Sequence, residues 1–336
     1  MVAKVKDPIE VIILGDRGVV GKEVSQLVAH SPDFTLIGVF RRTLGGEISD
    51  GDIEIFTHLE ALAGFIQGRP KAIVVSALPS ESAKIVEPFL LSQGAAIISN
   101  ASYARMHSDV PLWFPGLPIK DLMVSIQTQK KLHNGGFIVC QPNCCVSLIA
   151  RTLFPVLQQL PESKIERIHF VTLQSLSGAG MQGPLAMQML GNVMLDIPFE
   201  SCKLSPEIKK MLPGLESVAI TAQCHRVPTI RGHIINFYMQ FASACPTLKQ
   251  FVKALRASES SMDVIFDIDL RDTDTYKVQP KEFLDKKNPC LIQLSSLQNC
   301  ENSQTLQGIL TGDNLHTGAA GGVLSIARDL YAHHLR

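Results

Sequence analysis

The chain has 336 residues, 46% hydrophobic and 18% charged, with 31 basic and 31 acidic side chains and a formal net charge of zero. With Lys and Arg scattered, that balance excludes the charge field of a nucleic-acid or membrane-surface binder, and no apolar run is long enough to cross a bilayer. At roughly 150 residues per domain the length implies about two domains, and eight cysteines with neither CxxC pairs nor zinc-ligand spacing read as reduced thiols of a cytoplasmic protein with no metal site.

In chain order, the first residues carry no signal-peptide pattern and run into an apolar strand, Ile9 to Leu14. The turn Gly15-Asp16-Arg17-Gly18-Val19-Val20-Gly21 follows, then a helix from about Lys22 to His30. A second strand, Phe34 to Phe40, ends at Arg41-Arg42. A strand at Ala72–Ala77, a helix at Glu81–Gln93 and a strand at Ala95–Ile98 continue the alternation, and Ile138-Val139 leads into Gln141-Pro142-Asn143-Cys144-Cys145. This alternation predicts an α/β fold with a Rossmann-like, doubly wound parallel sheet. After an apolar helix, Val146 to Leu160, the pattern changes. Strands at Ile165–Leu173, Ser217–Ala222, Ile234–Ala242 and Leu291–Leu297 predict a mixed, largely antiparallel sheet. Helices near Gly183–Leu195, Ser205–Leu212 and Thr247–Ala257 make this an α+β domain. The last stretch, Gly318 to His334, has helical period. The expected division is 1–143, completed by 313–336, and 144–312.

Six segments carry chemistry. A strand, a glycine turn and a helix start make an anion site suited to a dinucleotide pyrophosphate; the spacing here is GxxGxxG, and Asp16 would repel phosphate unless it points away. Arg41 and Arg42 stand where an NAD-binding chain usually carries a carboxylate, and guanidinium there suits a 2′-phosphate, hence NADP; the alternative is a solvated basic pair. Cys144 opens a helix after a Pro-Asn turn, which favours its thiolate; a small buried core residue would look the same, and by position either Cys144 or Cys145 could be the nucleophile. In Gln174 to Gly183, small residues such as Ser177, Gly178 and Gly180 let backbone approach a ligand. In His225 to His233, Arg226 could fork onto a carboxylate and His233 could act as acid and base. Glu200 and Lys203 share a helical face if that segment is helical.

Taken in order, these segments resemble the aspartate-β-semialdehyde dehydrogenase family over essentially the whole chain. The matching elements are Gly15, Gly18 and Gly21; Asn100-Ala101-Ser102 with Arg105-Met106; Pro142-Asn143-Cys144; Gln174 with Ser177 to Gly180; Glu200 and Lys203; Arg226 with Gly232-His233; and Gly312-Asp313-Asn314-Leu315 with Gly318-Ala319-Ala320. The chain departs from the family's pattern at Asp16-Arg17, at Ser201 and at Cys145-Val146.

The resemblance implies NADPH-dependent reduction of L-aspartyl-4-phosphate to L-aspartate-4-semialdehyde, in the biosynthesis of lysine and diaminopimelate, threonine and methionine. Cys144 would be the nucleophile and His233 the acid/base. Gln174 would hold the substrate or orient the acyl group, and Asn143 would position the carbonyl or donate to an oxyanion. Arg226 and Glu200 would hold the substrate's carboxylate and ammonium, and Arg105 and Lys203 its phosphate. Gly15, Arg17, Gly18, Val19, Val20, Gly21, Arg41, Arg42, Ser177, Gly178, Gly180 and Asn314 would bind NADP(H). The implied partners are small molecules and a second copy of the chain, as homodimer or homotetramer. Competing readings are an N-acetyl-γ-glutamyl-phosphate reductase and a non-catalytic NADP-binding regulator.

Overall fold

The computed structural model describes residues 7–41, 53–183, 186–243, 245–269, 280, 291–300 and 304–333. Arg42 lies outside them. The chain divides into two compact units, Met1–Pro142 with Ala319–Arg336, and Asn143–Gly318.

The first unit holds strands β1 (Ile9–Leu14), β2 (Phe34–Phe40), β3 (Glu54–Phe56), β4 (Ile73–Ser76), β5 (Ala96–Ser99) and β6 (Phe137–Cys140). All pair in parallel in the order β3-β2-β1-β4-β5-β6. The three strands β4, β5 and β6 are buried at every position, because a parallel sheet is covered on both faces; hence the uninterrupted apolar runs. Strand order reverses between β1 and β4, and ligands of such sheets sit beyond the carboxyl ends of the strands at that point. The glycine turn leaves β1 there. Helices α1 (Val19–Ala29), α2 (Leu59–Gln67), α3 (Ser80–Ser92), α4 (Ile119–Leu132) and α9 (Gly321–Ala332) complete the unit. The last is tied in by Arg328 Nε to Asp33 Oδ2 at 2.8 Å and by Trp113 Nε1 to Asp329 Oδ2 at 3.1 Å.

The second unit holds a mixed sheet of β7 (Ile165–Gln174), β8 (Ala219–Arg226), β9 (His233–Phe241), β10 (Ile265–Ile268), β11 (Leu291–Asn299) and β12 (Thr305–Gly312). Its order is β10-β11-β12-β9-β7-β8. The pairings β11–β12, β12–β9 and β9–β7 are antiparallel, and the outer pairings are parallel. The helices are α5 (Cys144–Gln159), α6 (Ala186–Met189), α7 (Ser201–Met211) and α8 (Leu248–Met262). Between Gly183 and Leu195, where a helix was expected, only the single turn α6 is helical among the described residues. Gly183 is extended (ψ 172°), Gly191 has φ +71°, and Met194 bridges Arg226 as an isolated antiparallel pair. Glycines at both ends outweigh the helical period between them.

Candidate active site

The first unit carries the glycine turn. Gly15 has φ +83°, which glycine adopts without strain, and a Cβ on Gly21 would stand 2.1 Å from Gly15 O. The turn is thus fixed by its own packing. Gly18 is the N-cap of α1 and gives it no side-chain cap, so the helix start is left for an anion. Asp16 points away from that start. Its carboxylate takes Arg41 Nε at 2.9 and 3.1 Å and Nη2 at 2.6 Å, with both side chains buried. Arg41 Nη1 is buried without a hydrogen-bond partner among the described residues. Arg17, Val19 and Val20 are half-buried beside the turn. Arg105 also belongs to the first unit, where its Nη2 donates to Asn100 O.

The second unit brings together the other predicted residues. Asn143 is the N-cap of α5: its Oδ1 accepts from Cys145 N at 2.9 Å and Val146 N at 3.4 Å. Its Nδ2 donates to Glu200 Oε1 at 2.7 Å, and its backbone N–H to Glu207 Oε2 at 2.7 Å. Both ends of the Asn143 amide are therefore engaged at the helix start that carries Cys144. Glu207, seven residues beyond Glu200 on α7, escaped the sequence reading; that two-turn spacing was the available signal.

Cys144 Sγ stands 3.2 Å from His233 Nε2. The Cys144 thiol is held well below the usual thiol range. A hydrogen bond with the Cys145 thiol is the largest cause, and the charge and hydrogen bond of His233 add to it, against burial and the Glu200 carboxylate. Burial, followed by the neighbouring Cys144, pushes Cys145 well up. The two sulfurs and a His233 ring nitrogen lie within 4.8 Å of one another. Of the two thiols, Cys144 is the one with thiolate character.

Glu200 is a hub. It is the N-cap residue of α7 and 8% exposed. It accepts from Asn143, from Gln174 Nε2 at 3.4 Å and from Lys203 Nζ at 3.2 Å. Burial raises its carboxyl, but Lys203, Asn143 and Gln174 together outweigh burial and hold it below the usual range. The 200–203 pair is thus not a solvated surface bridge on its acidic side.

The ends of β7, β8 and β9 deliver the remaining groups. Arg226 is buried, with Nη1 on Ser175 O at 2.8 Å. A Cβ on Gly178 would meet Arg226 Nη1 and His233 Cε1 at 2.9 Å each, so glycine there permits the close approach. Gly180 sits at φ +66° in the same loop. Asn314 is buried and exchanges hydrogen bonds with Ser177 Oγ at 3.0 and 3.3 Å. Ser175 lies among these groups, fully buried; the sequence reading did not single it out.

Residues 10–122 match the family described as "Semialdehyde dehydrogenase, NAD binding domain", and residues 153–317 match "Semialdehyde dehydrogenase, dimerisation domain". An aspartate-semialdehyde dehydrogenase of Archaeoglobus fulgidus is 29% identical over 332 residues, 92% of this chain and 94% of the relative. One from Methanothermobacter thermautotrophicus is 32% identical over 244 residues, 67% of this chain and 69% of the relative. In fold, the chain is similar to an aspartate semialdehyde dehydrogenase with NADP from Candida albicans. There the TM-score is 0.79 at 22% identity, over 96% of this chain and 99% of that one.

Proposed function

The chain belongs to the aspartate-semialdehyde dehydrogenase family, and from that premise we propose that it reduces L-aspartyl-4-phosphate to L-aspartate-4-semialdehyde through a thioester on Cys144. The observation that carries this reading is the 3.2 Å pair of Cys144 Sγ and His233 Nε2 at the start of α5. Cys144 thiolate attacks the acyl carbon, the C–O bond to phosphate breaks, and a thioester forms. NADPH, when bound, supplies the hydride that reduces the thioester carbonyl. His233 takes the thiol proton on Nε2 and gives it to the thiohemiacetal oxygen; the proton returns as the C–S bond breaks and the aldehyde leaves. Glu200, held ionised by its neighbours, receives the substrate ammonium; Arg226 receives the α-carboxylate and Lys203 the phosphate. An ionised buried carboxylate suits an amino-acid acyl phosphate better than an N-acylated one.

The first unit's residues fit NADP(H). The uncapped start of α1 offers backbone N–H groups to the pyrophosphate, and Arg41 keeps Nη1 for the 2′-phosphate. We assign the protein to the cytoplasm, in amino-acid biosynthesis leading to lysine, threonine and methionine. Among the described residues no helix is long and apolar enough to cross a membrane. We further assign it a homo-oligomer, a dimer or tetramer of the chain. Leu195, Phe199 and Ile230 of the second unit are exposed apolar side chains, of the kind a second copy would cover.

The test is the reverse reaction: L-aspartate semialdehyde, phosphate and NADP or NAD, followed by absorbance of the reduced nicotinamide. Phosphate-dependent reduction of NADP, absent in Cys144→Ala, is the expected result. Folded protein that reduces neither cofactor overturns the reading.

A further inference from the structure

We propose that Ser175 is a positioning residue for His233: its hydroxyl oxygen holds the ring's proton on Nδ1 and so leaves Nε2 to take and give a proton at Cys144. The inference rests on the function proposed above and adds a residue to which no role has been given.

The Nδ1 atom of His233 faces two groups of one residue. Ser175 N–H donates to it at 3.1 Å, and Ser175 Oγ lies 3.2 Å away. Both residues are fully buried, so water is not at hand to replace either partner. The direction of the hydroxyl proton follows from Asn314. Gly232 N–H donates to Asn314 Oδ1 at 2.9 Å, which orients that amide, and Ser175 Oγ donates to the same oxygen at 3.0 Å. With its own proton sent to Asn314, Ser175 Oγ turns a lone pair toward the ring.

The consequences are specific. A neutral ring with bare Nδ1 would accept the Ser175 amide, but its proton would then sit on Nε2 and leave that atom no lone pair for the thiol proton. For Nε2 to take the thiol proton, the S–H bond breaks, an Nε2–H bond forms, and the ring's other proton must reside on Nδ1. Ser175 Oγ is then the acceptor for it. The same seat serves the imidazolium that later gives the Nε2 proton to the thiohemiacetal oxygen. No rotation of the ring is needed at any stage. The amide suits a bare Nδ1 and the hydroxyl oxygen suits Nδ1–H, so the hydroxyl is the group that holds the reactive tautomer. Around the ring, the other charged or titratable groups are the thiols of Cys144 and Cys145, the Arg226 guanidinium across Gly178, and the Arg231–Asp313 pair just before it in sequence and at the end of β12. None of these offers Nδ1 a hydrogen bond.

The experiment compares wild type with Ser175→Ala, which deletes one oxygen and keeps the amide. Two readouts are taken: kcat and KM across pH in the reverse assay, and 15N spectra of the histidine ring in labelled protein. The expected result for Ser175→Ala is a fall in kcat of about 10- to 100-fold, within the contribution of a positioned acid/base, with KM changed less than about twofold. With the hydroxyl acceptor gone, only the Ser175 amide faces Nδ1, so the 15N spectra show the neutral ring's proton moved to Nε2. An unchanged kcat and an unchanged ring spectrum overturn the proposal. So does a rise in KM alone, which would make Ser175 a substrate contact. Should Ser175→Ala not fold, the wild-type spectrum decides: a neutral ring protonated on Nε2 overturns it. The spectra need no turnover, so a failed assay with the expected spectra overturns the reaction and leaves the seat intact.

Discussion

His233 Nε2 lies 3.2 Å from Cys144 Sγ, although 89 residues of chain separate the two. Strand β9 begins at His233 and helix α5 begins at Cys144, so each side chain is delivered by the first residue of an element. Starts of elements are rigid on one side and open on the other, which suits groups that must be both fixed and reachable.

The depressed Cys144 thiol predicts its own alkylation profile. The thiolate is the reactive form, so the rate with iodoacetamide rises with pH through the depressed value and levels off at a lower pH than that of a free thiol. The Cys145 thiol and His233 favour the thiolate. Cys145→Ala and His233→Ala should therefore each move the rise to higher pH when labelling is followed at the Cys144 peptide, because the exposed Cys202 also reacts. Mass spectrometry of the labelled peptide checks the site. Label on Cys145 in the wild type would reverse the assignment of nucleophile.

The Asp16–Arg41 fork predicts a stability effect. Both side chains are less than a tenth exposed, and removing one partner of such a pair strands the other charge. Asp16→Ala should cost about 3–5 kcal/mol. Replacing both, as Asp16→Leu with Arg41→Met, should recover more than half of that. Urea unfolding of the three proteins measures it, and additive losses in the double variant would contradict the pairing.

Glu87 predicts a pH dependence of stability. It is fully buried, Ser99 Oγ donates to it at 2.8 Å, and burial raises its carboxyl above the ordinary value of 4.5 despite hydrogen bonds from Ser76, Ser99 and Tyr103. The folded chain therefore holds a proton that the unfolded chain has lost. Stability from this group falls as pH rises from the ordinary carboxyl value through the raised one. Glu87→Gln removes the penalty, so its Tm advantage over wild type should be near zero at about pH 4 and largest at about pH 8. A constant difference across that range would rule out the titration as its cause.

Much of the fold was legible because the signals are local. The buried runs of β1, β4 and β5 and the glycine turn speak for themselves, and so does the Pro-Asn-Cys helix start. Strand β12 was passed over because Gly308 interrupts it; a Cβ there would stand 2.6 Å from Leu297 Cδ2, so cross-strand packing and not local propensity selects the residue. Helix α4 has apolar spacing at Leu122 and Ile126 and could have been found by period alone. In the site, the chemistry-bearing types Cys144, His233 and Glu200 stood out, whereas their holders did not. Ser175 is one serine in a loop of small residues, and its importance lies in contacts to residues 58 and 139 positions away. Asp16 was read as an obstacle to phosphate; the arginine 25 residues later that neutralises it belongs to tertiary structure.

The nucleophile, its histidine and the carboxylate hub all belong to Asn143–Gly318, whereas the glycine turn and Arg41 belong to Met1–Pro142. Defects therefore sort into two phenotypes. On the proposed mechanism, a lesion in the turn should leave a thiol that can still be acylated and release one equivalent of phosphate, and should then stall as an acyl-enzyme. A lesion around Cys144 leaves an intact nucleotide carrier with nothing to reduce. In a mixed oligomer the two kinds of subunit would share an assembly but not a turnover, unless the acyl group of one could be reduced by the coenzyme of the other.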